Sequence, residues 1–262
     1  MTNDVALALR AQAAGIDQIG VDLERLGKAE RQLGHDTRLS HHSTRDLASI
    51  SAALGRASAF ARLNPINSGS AREVGEAIDA GARVVMLPFF TSEGEVEEFV
   101  RLVDGRARVI ILVETGAAIL RLRQILGIPG ISEVMVGLND LRLQFGVASH
   151  FEVLASPLLE HVASEVRRAG LAFSVGGVAR PDDLSLPIPP DLVLAQFPRL
   201  RATGAWVSRS FFNKMPIDWD PSDAVRQLRG RLTEWANADN VALEHARDQL
   251  GRCARRLQMV PV

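Results

Sequence analysis

The stretch Arg108 to Gly146, RVIILVETGAAILRLRQILGIPGISEVMVGLNDLRLQFG, constrains the fold more than any other part of the chain. RVIILV is an apolar, β-branched run that stops at Glu114, and EVMVG is a second run followed by Leu138, Asn139 and Asp140. Between them Ala118, Leu122, Ile125 and Leu126 fall at the spacing of a helix lying on a sheet, and Ile128-Pro129-Gly130 ends it. A strand, a helix and a second strand of this length make a right-handed βαβ unit with parallel, adjacent strands. Such strands lie ~4.8 Å apart. Glu114 and Asp140 are therefore expected side by side at the carboxyl edge of the sheet. Two acids so placed repel each other unless a positive charge lies between them, and a divalent cation meets that need.

The same alternation extends along the chain. A short amphipathic helix over 2–14, capped by Thr2 or Asn3, precedes a strand over 16–24. A long polar loop then leads to a helix capped by Ser43. Strands are expected at 57–65, 83–89, 108–113, 133–137, 172–177 and 204–212. Helices are expected between them, the last crossover helix within DLVLAQFPRLRAT. Seven strands alternating with helices mean a parallel α/β protein; the eighth strand of a barrel would have to precede Thr2. Residues 221–258 carry no strand pattern. Leu228, Leu232, Trp235, Leu243, Ala246, Leu250 and Leu257 recur at helical spacing, which predicts a helical tail (219–262) beyond a domain at 1–218. An apolar stripe of this kind suits an oligomer contact.

Composition removes several classes of function. A length of 262 residues suffices for one α/β barrel or two small domains. A formal net charge of -1 gives no support for a nucleic-acid or membrane partner. No apolar run approaches the ~20 residues of a membrane span, and the N-terminus lacks a signal-peptide pattern, so the expected location is cytoplasmic. A single cysteine, Cys253, excludes an internal disulfide framework and a cysteine zinc site. The 30 basic residues include only two lysines, Lys28 and Lys214, neither well placed for imine chemistry at a strand end.

Several stretches, in order, resemble the HpcH/HpaI aldolase and citrate lyase β-subunit family. They are VDLE at 21–24, ARLNP at 61–65, AIDAGARVVMLP at 77–88, LVETGAAI, and GIPGISEVMVGLNDLRLQFG with its G-x-x-D-L. The resemblance spans roughly residues 4–215 and implies a (β/α)₈ TIM barrel, its first strand short or missing. It also implies an α-keto acid chelating a divalent metal (Mg²⁺, Mn²⁺ or Co²⁺) at the carboxyl-end face. Carried over by position, Glu114 and Asp140 are the metal ligands, and Arg62 contacts the keto oxygen that becomes the enolate. Glu24 holds a metal-bound water, and the backbone at Leu138 and Asn139 receives the substrate carboxylate.

The resemblance thus implies a carbon–carbon lyase or aldolase acting on a pyruvate- or oxaloacetate-type enolate, and the stripe of the tail suggests a homo-oligomer. An acyl-CoA thioester lyase and a barrel that binds without turnover are the alternatives. The sequence departs from the family where a His follows the acidic Glu, since Arg25 stands there. With Asp79 in the D-x-G-A position, a salt bridge to Arg25 is expected instead of a His–Asp dyad. Leu112 replaces a polar residue two positions before Glu114. His41 and His42, in the loop DTRLSHHS, are the candidates for the missing base. Gly176-Gly177 is a weaker candidate for an anion-binding turn, and Ser208-Arg209-Ser210 for a pocket lining.

Overall fold

A computed structural model describes residues 1–27, 41–212 and 215–257. Both lysines, together with His35, Asp36 and Arg38 of the long loop, lie outside the described residues. Seven strands are hydrogen-bonded in chain order from β1 to β7 and alternate with helices, an α/β fold of the barrel type. The chain divides into two compact units. The first is 1–112 with 128–132, and the second is 113–127 with 133–262.

In the first unit α1 (Val5–Ala13) is capped by Asp4, whose Oδ1 accepts from the N–H groups of Ala6 and Leu7 at 2.8 and 3.1 Å. The cap lies one or two residues later than Thr2 or Asn3, because Asp4 alone precedes the first helical turn. β1 (Gln18–Asp22), β2 (Ser58–Arg62), β3 (Val84–Leu87) and β4 (Arg108–Val113) follow, each no longer than its apolar run suggests. α2 (Thr44–Ala53) opens on a capping box between Ser43 and Asp46, and α4 (Glu93–Val103) on one between Ser92 and Glu95. α3 (Ser70–Asp79) starts after an Asn67 side-chain turn.

The strands pair in parallel with Asp22 opposite Arg62, Arg62 opposite Met86, and Met86 opposite Ile110. Even-numbered residues of β1 to β4 therefore share one face of the sheet. Val21, Ala61, Val85 and Ile111, fully buried, pack the other face.

β1 ends the sheet, and the backbone groups of its outer side find partners elsewhere. Leu23 N–H donates to the Arg62 carbonyl at 2.9 Å, so Gly20 and Asp22 turn their polar groups away from β2. The Gly20 carbonyl accepts from Thr2 N–H at 2.8 Å, and Asp22 N–H donates to Nδ1 of His42 at 3.1 Å. An open edge is thereby closed without a further strand.

In the second unit the crossover between β4 and β5 is two short helices, α5 (Gly116–Leu120) and α6 (Leu122–Leu126), joined at Arg121. β5 (Ile131–Val136) leads to α7 (Leu138–Gln144), and α8 (His150–Leu154) and α9 (Pro157–Arg168) precede β6 (Ala172–Val178). The last crossover is helical, α10 (Pro190–Leu194) and α11 (Gln196–Leu200). β7 covers only Gly204–Val207. The remainder of the run expected as strand is a 3₁₀ turn at Arg209–Phe212, beyond a register shift between Gly176 and Val178. Gly177, at φ +102°, supplies the conformation of that bulge, which accounts for the Gly-Gly pair.

The tail forms α12 (Ser222–Ala236) and α13 (Asn240–Leu257). Part of its apolar stripe is covered by its own chain: Leu228, Leu243, Ala246 and Leu250 are buried, Leu232 and Trp235 are half-buried, and Leu257 is exposed. Asp191 of α10 accepts from Nε and Nη2 of Arg231 at 2.9 and 2.6 Å and from Trp235 Nε1 at 3.1 Å, which fastens α12. No helix among the described residues is long and apolar enough to cross a membrane.

Candidate active site

The acids named in the sequence fall into two clusters, one in each unit. In the second unit Gly137 N–H donates to the Val113 carbonyl at 3.0 Å, which sets Gly137 beside Glu114. Glu114 is 3% exposed, and its carboxylate lies over the α-carbon of Gly137. A β-carbon on Gly137 would stand 2.5 Å from Glu114 Oε2 and 2.6 Å from Glu114 Cβ. Only glycine leaves that space, and φ -87°, ψ 88° shows that the backbone itself does not require it.

Asp140 is the third residue of α7. It is half-buried in the first turn, where the helix dipole favours a negative charge. A second bond holds the two loops together: Gln144 Oε1 of α7 accepts from Gly116 N–H at 2.7 Å. Thr115 caps α5 through its hydroxyl, at 3.1 Å from Ala118 N–H, and so fixes the chain just after Glu114. Leu138 is buried, and Asn139 accepts from Arg142 Nε at 3.0 Å, so Asn139 is restrained. Burial, assisted by the charge of Arg142, pushes His150 below the usual imidazole range.

In the first unit Arg62 holds two carboxylates. Its Nε and Nη2 donate to Asp22 Oδ1 and Oδ2 at 2.9 and 2.7 Å, and Glu24 Oε2 lies 3.3 Å from Nε. Glu24 pairs with Arg62, and the two-pronged partner is Asp22, which is opposite Arg62 in the ladder. Asp22 and Glu24 are each 3% exposed, so the guanidinium carries a charge that would otherwise be costly to bury. Asp22 is the site residue that sequence reasoning missed. The signal was the D-x-E spacing, since period two puts both acids on the face of Arg62.

His41 is exposed and has no partner among the described residues. His42 is half-buried and accepts at Nδ1 from Asp22, so its neutral ring carries the proton on Nε2. The expected Arg25–Asp79 salt bridge is absent. Asp79 is exposed at the last residue of α3, while Arg25 Nη2 donates to the His42 carbonyl at 3.0 Å. The helix runs back from the carboxyl edge of β2 toward the start of β3, so its last residue is far along the chain's return path from Arg25. Ser208 Oγ meets Ser210 Oγ at 2.5 Å, a contact within its own turn.

The family description HpcH/HpaI aldolase/citrate lyase matches residues 2–181, more than half of the chain. The chain belongs to that family. An HpcH/HpaI aldolase from Desulfitobacterium hafniense superposes with a TM-score of 0.61 at 16% identity, covering 79% of this chain and 83% of that one. An HpcH/HpaI aldolase/citrate lyase family protein from Burkholderia cenocepacia gives 0.60 at 20% identity, covering 88% and 90%. Macrophomate synthase gives 0.58 at 13% identity, covering 90% and 84%. No curated protein sequence matches the chain. At these identities the superpositions establish the fold; the family match places the chain among lyases and aldolases.

Among the described residues, no group of three or more His, Cys, Asp and Glu side chains is placed to hold a metal ion. A hard cation that keeps positions for a chelating substrate and water needs only two protein carboxylates. Glu114, seated in a hollow that a β-carbon would fill, and Asp140 in the next loop of the same unit fit that donor set.

Proposed function

We propose that this chain is a carbon–carbon lyase or aldolase acting on a pyruvate- or oxaloacetate-type enolate, with Glu114 and Asp140 as ligands of Mg²⁺, Mn²⁺ or Co²⁺. The observation that carries the proposal is the Glu114 carboxylate held over a glycine that leaves it room. When bound, the cation would polarise the keto oxygen of an α-keto acid.

The chain's own groups supply the rest. Arg62 presents a fixed positive charge for the oxygen that becomes negative as the C–C bond breaks or forms. Asp22 and Glu24 hold its guanidinium in one orientation, so little reorganisation is needed as charge develops. Removing a charge stabiliser of this type typically raises the barrier by ~3–4 kcal/mol. Arg25, whose guanidinium carries donors and no acceptor, supplies no base. With Nδ1 of His42 accepting from Asp22 N–H, its neutral ring presents an N–H at Nε2, which can donate a hydrogen bond and has no free lone pair to take a proton.

The test is turnover of oxaloacetate and of 4-hydroxy-2-keto acids after removal of bound metal with EDTA. The proposal expects activity to vanish and to return with Mg²⁺, Mn²⁺ or Co²⁺. Full activity in chelator would refute the assignment of Glu114 and Asp140.

A further inference from the structure

Beyond residue 181, where the family match ends, the second unit carries a cavity of about 330 Å³ between α10 and α13. Pro189 and Leu192 form one wall, and Gln249, Arg252, Cys253 and Arg256 of α13 form the other. These four recur at steps of three and four residues, so the helix turns all of them to one side. Leu192, Gln249 and Cys253 are half-buried, and both arginines are exposed.

Among the described residues no carboxylate lines this cavity, and the nearby acids are committed elsewhere. Asp191 of α10 accepts from Arg231 and Trp235 on the α12 side. Asp248, one turn before Arg252, accepts from Nε and Nη2 of Arg247 at 3.2 and 2.9 Å, and Glu244 also pairs with Arg247. Arg252 and Arg256 are left without a hydrogen bond or ion pair among the described residues. Like charges one turn apart repel each other. The dipole of α13 favours a basic residue in its last turn, but it does not account for an apolar wall and a hollow beside two such residues.

We propose that this cavity binds a small organic phosphate, its phosphate held by Arg252 and Arg256 and its apolar body laid against Pro189 and Leu192. A phosphate monoester carries about -1.5 to -2 charges near pH 7, which matches two guanidiniums, whereas a monocarboxylate carries one. The guanidinium fork also fits phosphate oxygens two at a time. The volume is at the low end of ligand pockets, roughly 300–1,000 Å³, which suits one small molecule. The site stands apart from the enolate chemistry and from the strand ends.

The experiment measures calorimetric affinity for phenyl phosphate, inorganic phosphate and benzoate on the full chain at about 0.15 M salt. Cys253, the only cysteine, gives a second readout through its rate of alkylation by iodoacetamide. Phenyl phosphate should bind more tightly than either other probe and should slow the alkylation. Arg252→Gln and Arg256→Gln should each weaken it about tenfold. Arg255→Gln removes the same charge from the same helix outside the cavity and should leave the affinity unchanged. An equal loss in Arg255→Gln would mean a diffuse basic surface and overturn the proposal. So would benzoate or inorganic phosphate binding as well as phenyl phosphate, or alkylation that phenyl phosphate does not slow.

Discussion

Placing alanine at Gly137 asks whether the seat of Glu114 is as tight as the geometry indicates. The new β-carbon would stand 2.5 Å from Glu114 Oε2, 2.6 Å from its Cβ and 3.3 Å from its Cδ. The carboxylate could swing aside, but the Glu114 Cβ is fixed to the main chain and cannot. Relief therefore requires the ends of β4 and β5 to part, which stretches the 3.0 Å bond between Gly137 N–H and the Val113 carbonyl. Overpacking of this kind costs about 1–3 kcal/mol, and a weakened hydrogen bond adds about 1.

The expected total of about 2–4 kcal/mol corresponds to a fall in Tm of roughly 4–15 °C for a chain of this size. Gly75→Ala is the control: it lies inside α3 with nothing within 4 Å of its added carbon, and should stabilise by about 0.5–1 kcal/mol. Urea denaturation gives both values. In the same samples Mn²⁺ affinity, read by calorimetry, should fall for Gly137→Ala and not for Gly75→Ala. A Gly137→Ala chain with unchanged midpoint and unchanged Mn²⁺ binding would refute the reasoning.

Two other perturbations test the account at separate points. Asp22→Asn leaves the Arg62 guanidinium short of a buried counter-charge and should cost about 2–4 kcal/mol by denaturation, with kcat falling as Arg62 loses its orientation; a variant as stable and active as the parent would show Glu24 to suffice alone. Glu165 is held by hydrogen bonds from Arg123 and then Arg168, which bring its carboxyl down from 4.5 to about 2. A lowered folded-state pKa means that its stabilisation is complete above about pH 4.5 and disappears as pH falls toward 2. The stability gap between the parent and Glu165→Gln should therefore close over that interval, and a gap that stays constant down to pH 2.5 would contradict the assignment.

The βαβ unit around Glu114 and Asp140 was legible because strand, turn and cap signals there agree within forty residues. The partner of Arg62 was not, because it depends on ladder register. Asp22 and Glu24 are both on the right face by alternation, but only pairing decides which of them is opposite Arg62, and that pairing closes over a long connection. The extended reading of GAWVSRSFF failed for a similar reason. Its composition suits a strand throughout, yet the bulge at Gly177 shifts the neighbour's register and ladder pairing stops at Val207. In the tail, helical spacing predicted an apolar stripe correctly but not what covers it. The deciding contacts come from Asp191, some forty residues upstream of Arg231 and Trp235. His42 was noted as a candidate base, while its bond to Asp22 shows a role in closing the edge of β1.

The central claim is that Glu114 and Asp140 support enolate formation from an α-keto acid. Deuterium uptake from solvent into the methyl group of pyruvate, followed by NMR, tests it without knowledge of the second substrate. The account predicts exchange that requires Mg²⁺, Mn²⁺ or Co²⁺ and is lost in Glu114→Gln, Asp140→Asn and Arg62→Ala. Exchange that persists in EDTA, or that survives the loss of both carboxylates, would contradict it.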